Sequence, residues 1–174
     1  MINYYSLSKL ISQGIDIEPI INEILLVTIS AKTTYPEYTD WFINKHVPGI
    51  YLGTRDTIIA VHNNKIVGVS NIKREKENKL CTVYFDPKYR KQKLGLTLVD
   101  KSIELIGDSK PLITMPSSYL PQFKNIIKRY PSDIQMDNFY IKNGAWTSIP
   151  ILLLYIVSNC EIGRGLLPSP TSMV

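Results

Sequence analysis

Two β-rich runs, "KLCTVYF" (79–85) and "KPLITM" (110–115), are separated by one basic turn and one amphipathic segment, and this spacing constrains the fold most strongly. From Leu94 the apolar positions Leu96, Val99, Ile103 and Ile106 recur every three or four residues. Leu98 and Leu105 widen the stripe and Gly107 supplies a stop, so the segment is predicted to be helical. Two strands of one sheet joined by such a crossover run parallel, with the helix covering one face. The end of the first strand, where the crossover helix begins, is the natural ligand site.

The rest of the chain is predicted to pair antiparallel. "DTIIAVH" (56–62) and "KIVGVSNIK" (65–73) flank Asn63-Asn64, a dipeptide that tolerates positive φ, and "REKEN" then leads into 79–85, giving a meander over 56–85. "INYYSLS" (2–8) reads as a first strand, with a break at Gly14. "IEPIINEILLVTISAK" (17–32) reads as a helix with Pro19 in its first turn. A short helix over Tyr38 to Lys45 is expected to stop before Pro48 and Gly49, and its Tyr38, Trp41 and Phe42 could line a groove, although packing in the core is the favoured reading. "SSYLPQFKNIIKRY" (117–130) is a further predicted helix, closed by Pro131. The runs from 133 and from 145 flank Asn143-Gly144, a hairpin signal, with Pro150 expected at an edge or bulge. This order predicts one α/β domain over 1–157 and a loose tail over 158–174.

A formal charge of +5 and a sequence pI of about 9.1 favour an anionic partner. Nucleic acid, a phosphorylated cofactor and an acidic protein all fit that sign. A nucleic-acid module is disfavoured, because the cations are not interleaved with aromatics in an RNA-binding pattern. The run "IPILLLYIV" (149–157) is too short for a membrane span, and "MINYYSLSKL" lacks the features of a signal peptide, so a cytoplasmic protein is expected. Cys81 and Cys160 are expected to be reduced thiols. His46 and His62, with no C-x-x-C or H-x-x-x-H spacing, predict no metal site.

The turn "DPKYRKQK" (86–93) reads either as solvated charged surface or as a place to hold an anion, and its position between a strand and a helix start favours the second. The first N–H groups of a helix lack intrahelical partners and carry the positive end of its dipole. Arg90, Lys91 and Lys93 add charge, and Gly95 would let a ligand approach the backbone. Here "YFDPKYRKQKLGLTL" resembles the signature V-x-P-x-Y-R-G-x-G-I-G-x-x-L of the GNAT (Gcn5-related) N-acetyltransferases, matching it in Pro87, Tyr89, Arg90, Leu94, Gly95 and Leu98. The order of elements is similar to that fold from residue 1 to about 155. Lys91 and Lys93 stand where the family has glycines.

The resemblance implies a mixed, mostly antiparallel central sheet with helices on both faces and one parallel pair splayed at the cofactor site. It implies acetyl-CoA as cosubstrate, its pyrophosphate bound at Arg90, Lys91, Gln92, Lys93, Leu94 and Gly95, its arm beside Val83 and Phe85, and an amine as acceptor. The oxyanion contact would come from a backbone N–H around Val83 to Phe85. The acid for the departing thiolate would be a tyrosine: Tyr140 in "FYIKNGA", similar to the family's helical F-Y-x-K-x-G-F, or Tyr130 if the Asn143-Gly144 hairpin makes Tyr140 a strand residue. Tyr119 is a third candidate. No general base is evident. His62 is expected to be solvated at a hairpin tip, while Glu37 and Asp40 could line an amine groove. Loss of the loop glycines also suits a catalytically degenerate domain of the same fold that binds CoA or a protein partner. Either reading fits a monomer or a homodimer.

Overall fold

The computed structural model describes residues 1–33, 35–107, 111–116, 120–130, 132–137, 140–142, 145–147 and 151–156. Asn63 and Asn64, both at positive φ, close a two-residue turn between β2 (Arg55–His62) and β3 (Lys65–Arg74), and β4 (Asn78–Phe85) completes the expected meander. β1 (Asn3–Ser6) pairs with β2. Helix α5 (Leu94–Ile106) then crosses to β5 (Leu112–Pro116), which lies parallel to β4. After α6 (Leu120–Arg129), β6 (Ser132–Asp137) and β9 (Ile151–Ile156) pair with each other, and β7 (Tyr140–Lys142) pairs with β8 (Ala145–Thr147) as a separate ribbon. The main sheet has the order β1-β2-β3-β4-β5-β9-β6, antiparallel throughout except at β4–β5. The β7–β8 pairing agrees with a hairpin centred on Asn143-Gly144. Those two residues, Pro150, Tyr119 and the tail from 158 lie outside the described residues.

Strand alternation sends side chains into two cores. Ile59, Val69 and Tyr84 face α1 (Leu7–Ser12), α2 (Glu18–Val27) and α3 (Tyr38–Trp41), burying Leu7, Ile24 and Phe42. Ile58, Ala60, Val67, Ile72 and Leu80 face α5, where Leu94, Leu98 and Val99 are fully buried. Gly68 of β3 permits this approach, since a Cβ there would lie 2.7 Å from Leu98 Cδ1.

Two expectations on the α1–α4 face are corrected. The first strand ends at Ser6 rather than Ser8, because a polar cluster turns the chain into α1. Ser6 Oγ donates to the buried Asp56 carboxylate (2.9 Å), which also accepts from Ser8 N (3.1 Å), while Ser6 caps the helix by accepting from Lys9 N. The helix at Tyr38 does not stop at Pro48. It widens into a π-helical turn over Phe42–His46 and continues as α4 (Val47–Tyr51), with Pro48 in the first turn of α4, where its missing N–H costs no bond.

Candidate active site

β4 and β5 separate soon after they meet. Their parallel pairing is confined to Lys79↔Leu112 and Leu80↔Ile113, although β4 runs on to Phe85 and β5 to Pro116. A bulge contributes to this. Asn71 pairs with Thr82 and Ile72 with Leu80, which leaves Cys81 as the extra residue on β4 and increases the local twist. From Cys81 onward the edge of β4 towards β5 is open, and every second N–H along it points into the gap.

α5 begins at the far end of this open edge. Asp86 N donates to Val67 O (2.8 Å), the Asp86 side chain accepts from Lys88 N (2.9 Å), and Pro87–Gln92 form a 3-10 turn. Tyr89 ties the turn to the β2–β3 hairpin through His62 Nδ1 and its own hydroxyl, 2.8 Å apart. His62 is therefore a half-buried support for the loop and not a solvated tip residue. The first α-helical bond of α5 runs from Thr97 N to Lys93 O (3.0 Å), so the N–H groups of Leu94, Gly95 and Leu96 precede it. Leu94 has no exposed surface, backbone included, so the half-buried Gly95 and Leu96 are the residues placed to offer an N–H to a ligand, and the expected contact at Leu94 is corrected.

Lys93, at a position where a glycine was expected, adopts φ 56° and ψ 15°. The left-handed conformation is disfavoured for a side chain with Cβ, by about 1–2 kcal/mol. The Lys93→Gly variant is expected to raise the urea midpoint, corresponding to about 1 kcal/mol of added stability. An unchanged or lower midpoint would show that the conformation is not strained. Gly95 is required for packing: a Cβ there would sit 2.7 Å from Phe85 Cε1 and 3.1 Å from Cδ1. The glycine lets the first turn of α5 rest on the last residue of β4.

On the opposite face of the sheet a cleft of about 400 Å³ reaches the same stretch of β4. Cys81 and Thr82 form its floor, Tyr35, Tyr38 and Trp41 its aromatic wall, and Glu37 lies on its lining, whereas Asp40 does not. Lys45, Arg55, Lys73 and Lys79 surround it. The aromatic cluster expected in the core therefore serves both purposes. Phe42 is fully buried, while Tyr38 and Trp41 are core residues that also wall the cleft.

Behind the wall runs a buried hydrogen-bonded chain. Asn71 Nδ2 donates to Tyr38 Oη (3.2 Å), Thr57 Oγ1 donates to Asn71 Oδ1 (2.9 Å), and His46 Nε2 lies 2.8 Å from Thr57 Oγ1. Since the Thr57 proton is committed to Asn71, His46 must donate from Nε2, which assigns its tautomer. Burial pushes the Tyr38 phenol up, opposed by its contacts with Thr28, Asn71 and Thr82, and burial with the Arg55 charge pushes His46 down to about 3. No sequence motif announced this chain, because its members come from four elements: α3, the π-helical turn, β2 and β3.

The two candidate acids belong to different elements. Tyr140 is a strand residue opposite Thr147 in the β7–β8 ribbon, not a helical one. Tyr130, at the end of α6, donates to Asp100 of α5 (2.5 Å), and the Arg129 guanidinium, itself paired with Asp100, lies over its ring. Burial and Asp100 raise the Tyr130 pKa. Val83 packs against the α5–α6 core and Phe85 against Gly95, so both flank the gap on the α5 side. Among the described residues no group of His, Cys, Asp and Glu could hold a metal, and no helix is long and apolar enough to cross a membrane.

The model of the GNAT family of acetyltransferases matches residues 21–109, just over half of the 174-residue chain. No curated protein matches the sequence. A structure described as a GNAT-family acetyltransferase from Desulfovibrio desulfuricans superposes with a TM-score of 0.63 at 13% identity, covering 89% of this chain and 97% of that one. One from Staphylococcus aureus gives 0.60 at 12% identity, covering 90% and 100%. A structure described as a streptothricin acetyltransferase from Bacillus anthracis, in complex with acetyl coenzyme A, gives 0.50 at 17%, covering 59% of this chain and 62% of that one.

Proposed function

Because this chain belongs to the GNAT family of acetyltransferases, we propose that it transfers an acetyl group from acetyl-CoA to an amine, by direct attack of the amine on the thioester. The observation that carries the reading is the opening of β4 from β5 beyond Leu80, with the N-terminus of α5 at its far end. The gap suits an extended acyl-pantetheine arm that hydrogen bonds to the unpaired edge of β4 around Val83 to Phe85. The N–H groups of Gly95 and Leu96 suit the pyrophosphate, aided by the charges of Arg90, Lys91 and Lys93 and by the backbone around Gln92. The acceptor would enter through the cleft on the other face, so that the two substrates meet across β4 near Cys81 and Thr82.

In the reaction the amine lone pair forms a bond to the thioester carbon, and the oxyanion that develops is stabilised by an N–H of the β4 edge. The C–S bond then breaks with its electron pair going to sulfur, which takes a proton, while the new ammonium releases one to water. Tyr130 is the proposed donor, since it packs on the same α5-side core as Val83 and a phenol, with an ordinary pKa of about 10, is protonated at neutral pH. Tyr140 is the second candidate for the same step.

Calorimetry with acetyl-CoA tests the cofactor site. Binding is expected in the wild type, and the Arg90→Glu/Lys93→Glu double variant is expected to lose roughly tenfold in affinity, more at low salt than at high. Equal affinity of the two proteins would place the pyrophosphate elsewhere. Thiol release across an amine panel tests the transfer itself, and silence with every amine, despite tight binding, would mark a CoA-binding domain without catalysis.

A further inference from the structure

Resting on the reading that the cleft over Cys81 and Thr82 admits the acceptor, we propose that this acceptor is an amine that also carries an anionic group, a carboxylate or a phosphate monoester, held by Lys45 and Lys79. The cleft's volume of about 400 Å³ suits a molecule of amino-acid size. Its charges are unequal. Lys45 comes from the π-helical turn, Arg55 from β2, Lys73 from β3 and Lys79 from β4, against the single carboxylate of Glu37.

Two of these cations are already answered. Arg55 pairs with Glu75 at 2.8 Å and Lys73 with Glu77 at 3.6 Å. Among the described residues, no carboxylate lies within ion-pair reach of Lys45 or Lys79. An acceptor with several ammonium groups would bring like charge against these two, and one with a single amine would leave them unanswered. An acceptor bearing its own anion meets them and presents its ammonium to Glu37.

The positive field extends to the floor of the cleft, where the reaction would occur. The Cys81 thiol, pushed up by burial, is pulled down by Lys79, Arg55 and Lys73 and pushed up again by Glu75. The amine would bind as an ammonium beside Glu37 and lose its proton on moving beside Cys81, where Lys79, which has no carboxylate partner among the described residues, disfavours the charged form. Lys79 would thus favour the neutral nucleophile at a site whose sequence shows no general base. The apolar remainder of the acceptor would rest on the Tyr38 and Trp41 rings, whose centroids are 5.7 Å apart.

The test uses amines that differ only in the anion: tryptophan against tryptamine and O-phosphoethanolamine against ethanolamine, with spermidine as a polycation. Binding is measured to the protein saturated with CoA, and turnover with acetyl-CoA. The anion-bearing member of at least one pair is expected to bind at least tenfold more tightly. In the Lys45→Gln/Lys79→Gln variant, checked for folding by its acetyl-CoA affinity, the advantage should fall below threefold. The pair that responds tells a carboxylate site from a phosphate site. Overturning results would be no measurable binding of either anionic amine, equal or tighter binding of tryptamine, ethanolamine and spermidine, or an advantage that survives in the variant. A lysine-dependent preference in binding, with no thiol release from any amine, would instead leave the anion site standing and remove the transferase reading.

Discussion

Acidification from pH 7 to pH 4.5 is expected to cost the wild-type chain about 3 kcal/mol more folding stability than it costs a His46→Gln variant. His46 has no exposed surface, and its ring lies 5.0 Å from that of Trp41 and 5.3 Å from that of Phe42. Burial and the Arg55 guanidinium lower its pKa from 6.5 to about 3, against a weaker pull from the Asp56 backbone. Among the described residues Nδ1 makes no hydrogen bond of normal geometry, so a proton added there would be buried without a good acceptor. Between about pH 6.5 and about 3 the unfolded chain binds a proton at His46 that the native state does not. Stability therefore falls as the pH is lowered through this window, by about 1.4 kcal/mol per unit, and the effect is absent above it. Glutamine keeps a donor near Thr57 without titrating. At pH 7 the variant should be the weaker protein, having lost a stacked ring, and the difference should shrink or reverse at pH 4.5. Urea midpoints of both proteins at both pH values decide this, and a constant difference would mean that His46 is protonated in the native state or solvated in it.

Gly95→Val is expected to lower stability by about 1–3 kcal/mol and acetyl-CoA affinity at least tenfold. Even a single Cβ at this position meets Phe85 at 2.7 Å, and valine adds two methyl groups to that contact. The strain has two outlets. Either Phe85 leaves its packed position on the strand beside the gap, or the first turn of α5 lifts and carries its free N–H groups away from the end of β4. Both disturb the proposed cofactor path. Removing the ring in Gly95→Val/Phe85→Ala should restore part of the loss, so that the double-mutant cycle shows a coupling above about 1 kcal/mol. Strict additivity, or an affinity unchanged by valine, would show that the helix end and the strand end are not coupled as described.

The strand and helix pattern was largely legible because each element carries its own local signal. Asn63-Asn64 requires positive φ, the stripe from Leu94 to Ile106 has helical period, and one helix between two strands forces a parallel pair. Local signals failed where distant groups decide the local shape. Ser6 and Ser8 have no reason to end a strand until Asp56 arrives from β2. Pro48 reads as a stop until the π-helical turn shifts it into the start of a new helix. His62 reads as solvated until the fold lays Tyr89 against it. Gly95 was read as room for a ligand, whereas the room is filled by Phe85.

The candidate site divides along the same line. The proposed anion-binding turn was readable because a strand, a cationic run and a helix start are contiguous in the chain, and the first N–H groups of a helix lack intrahelical partners. The sequence by itself thus determined the fold class, the parallel crossover and the place of the basic turn proposed as the cofactor loop, all of which follow from short-range stereochemistry and periodicity. Only the tertiary structure decided how far β4 and β5 stay paired, that Cys81 is the bulged residue, and that Lys45 and Lys79, thirty-four positions apart, share one cleft. Those features depend on register and on which elements pack together, and no local preference of the chain encodes either.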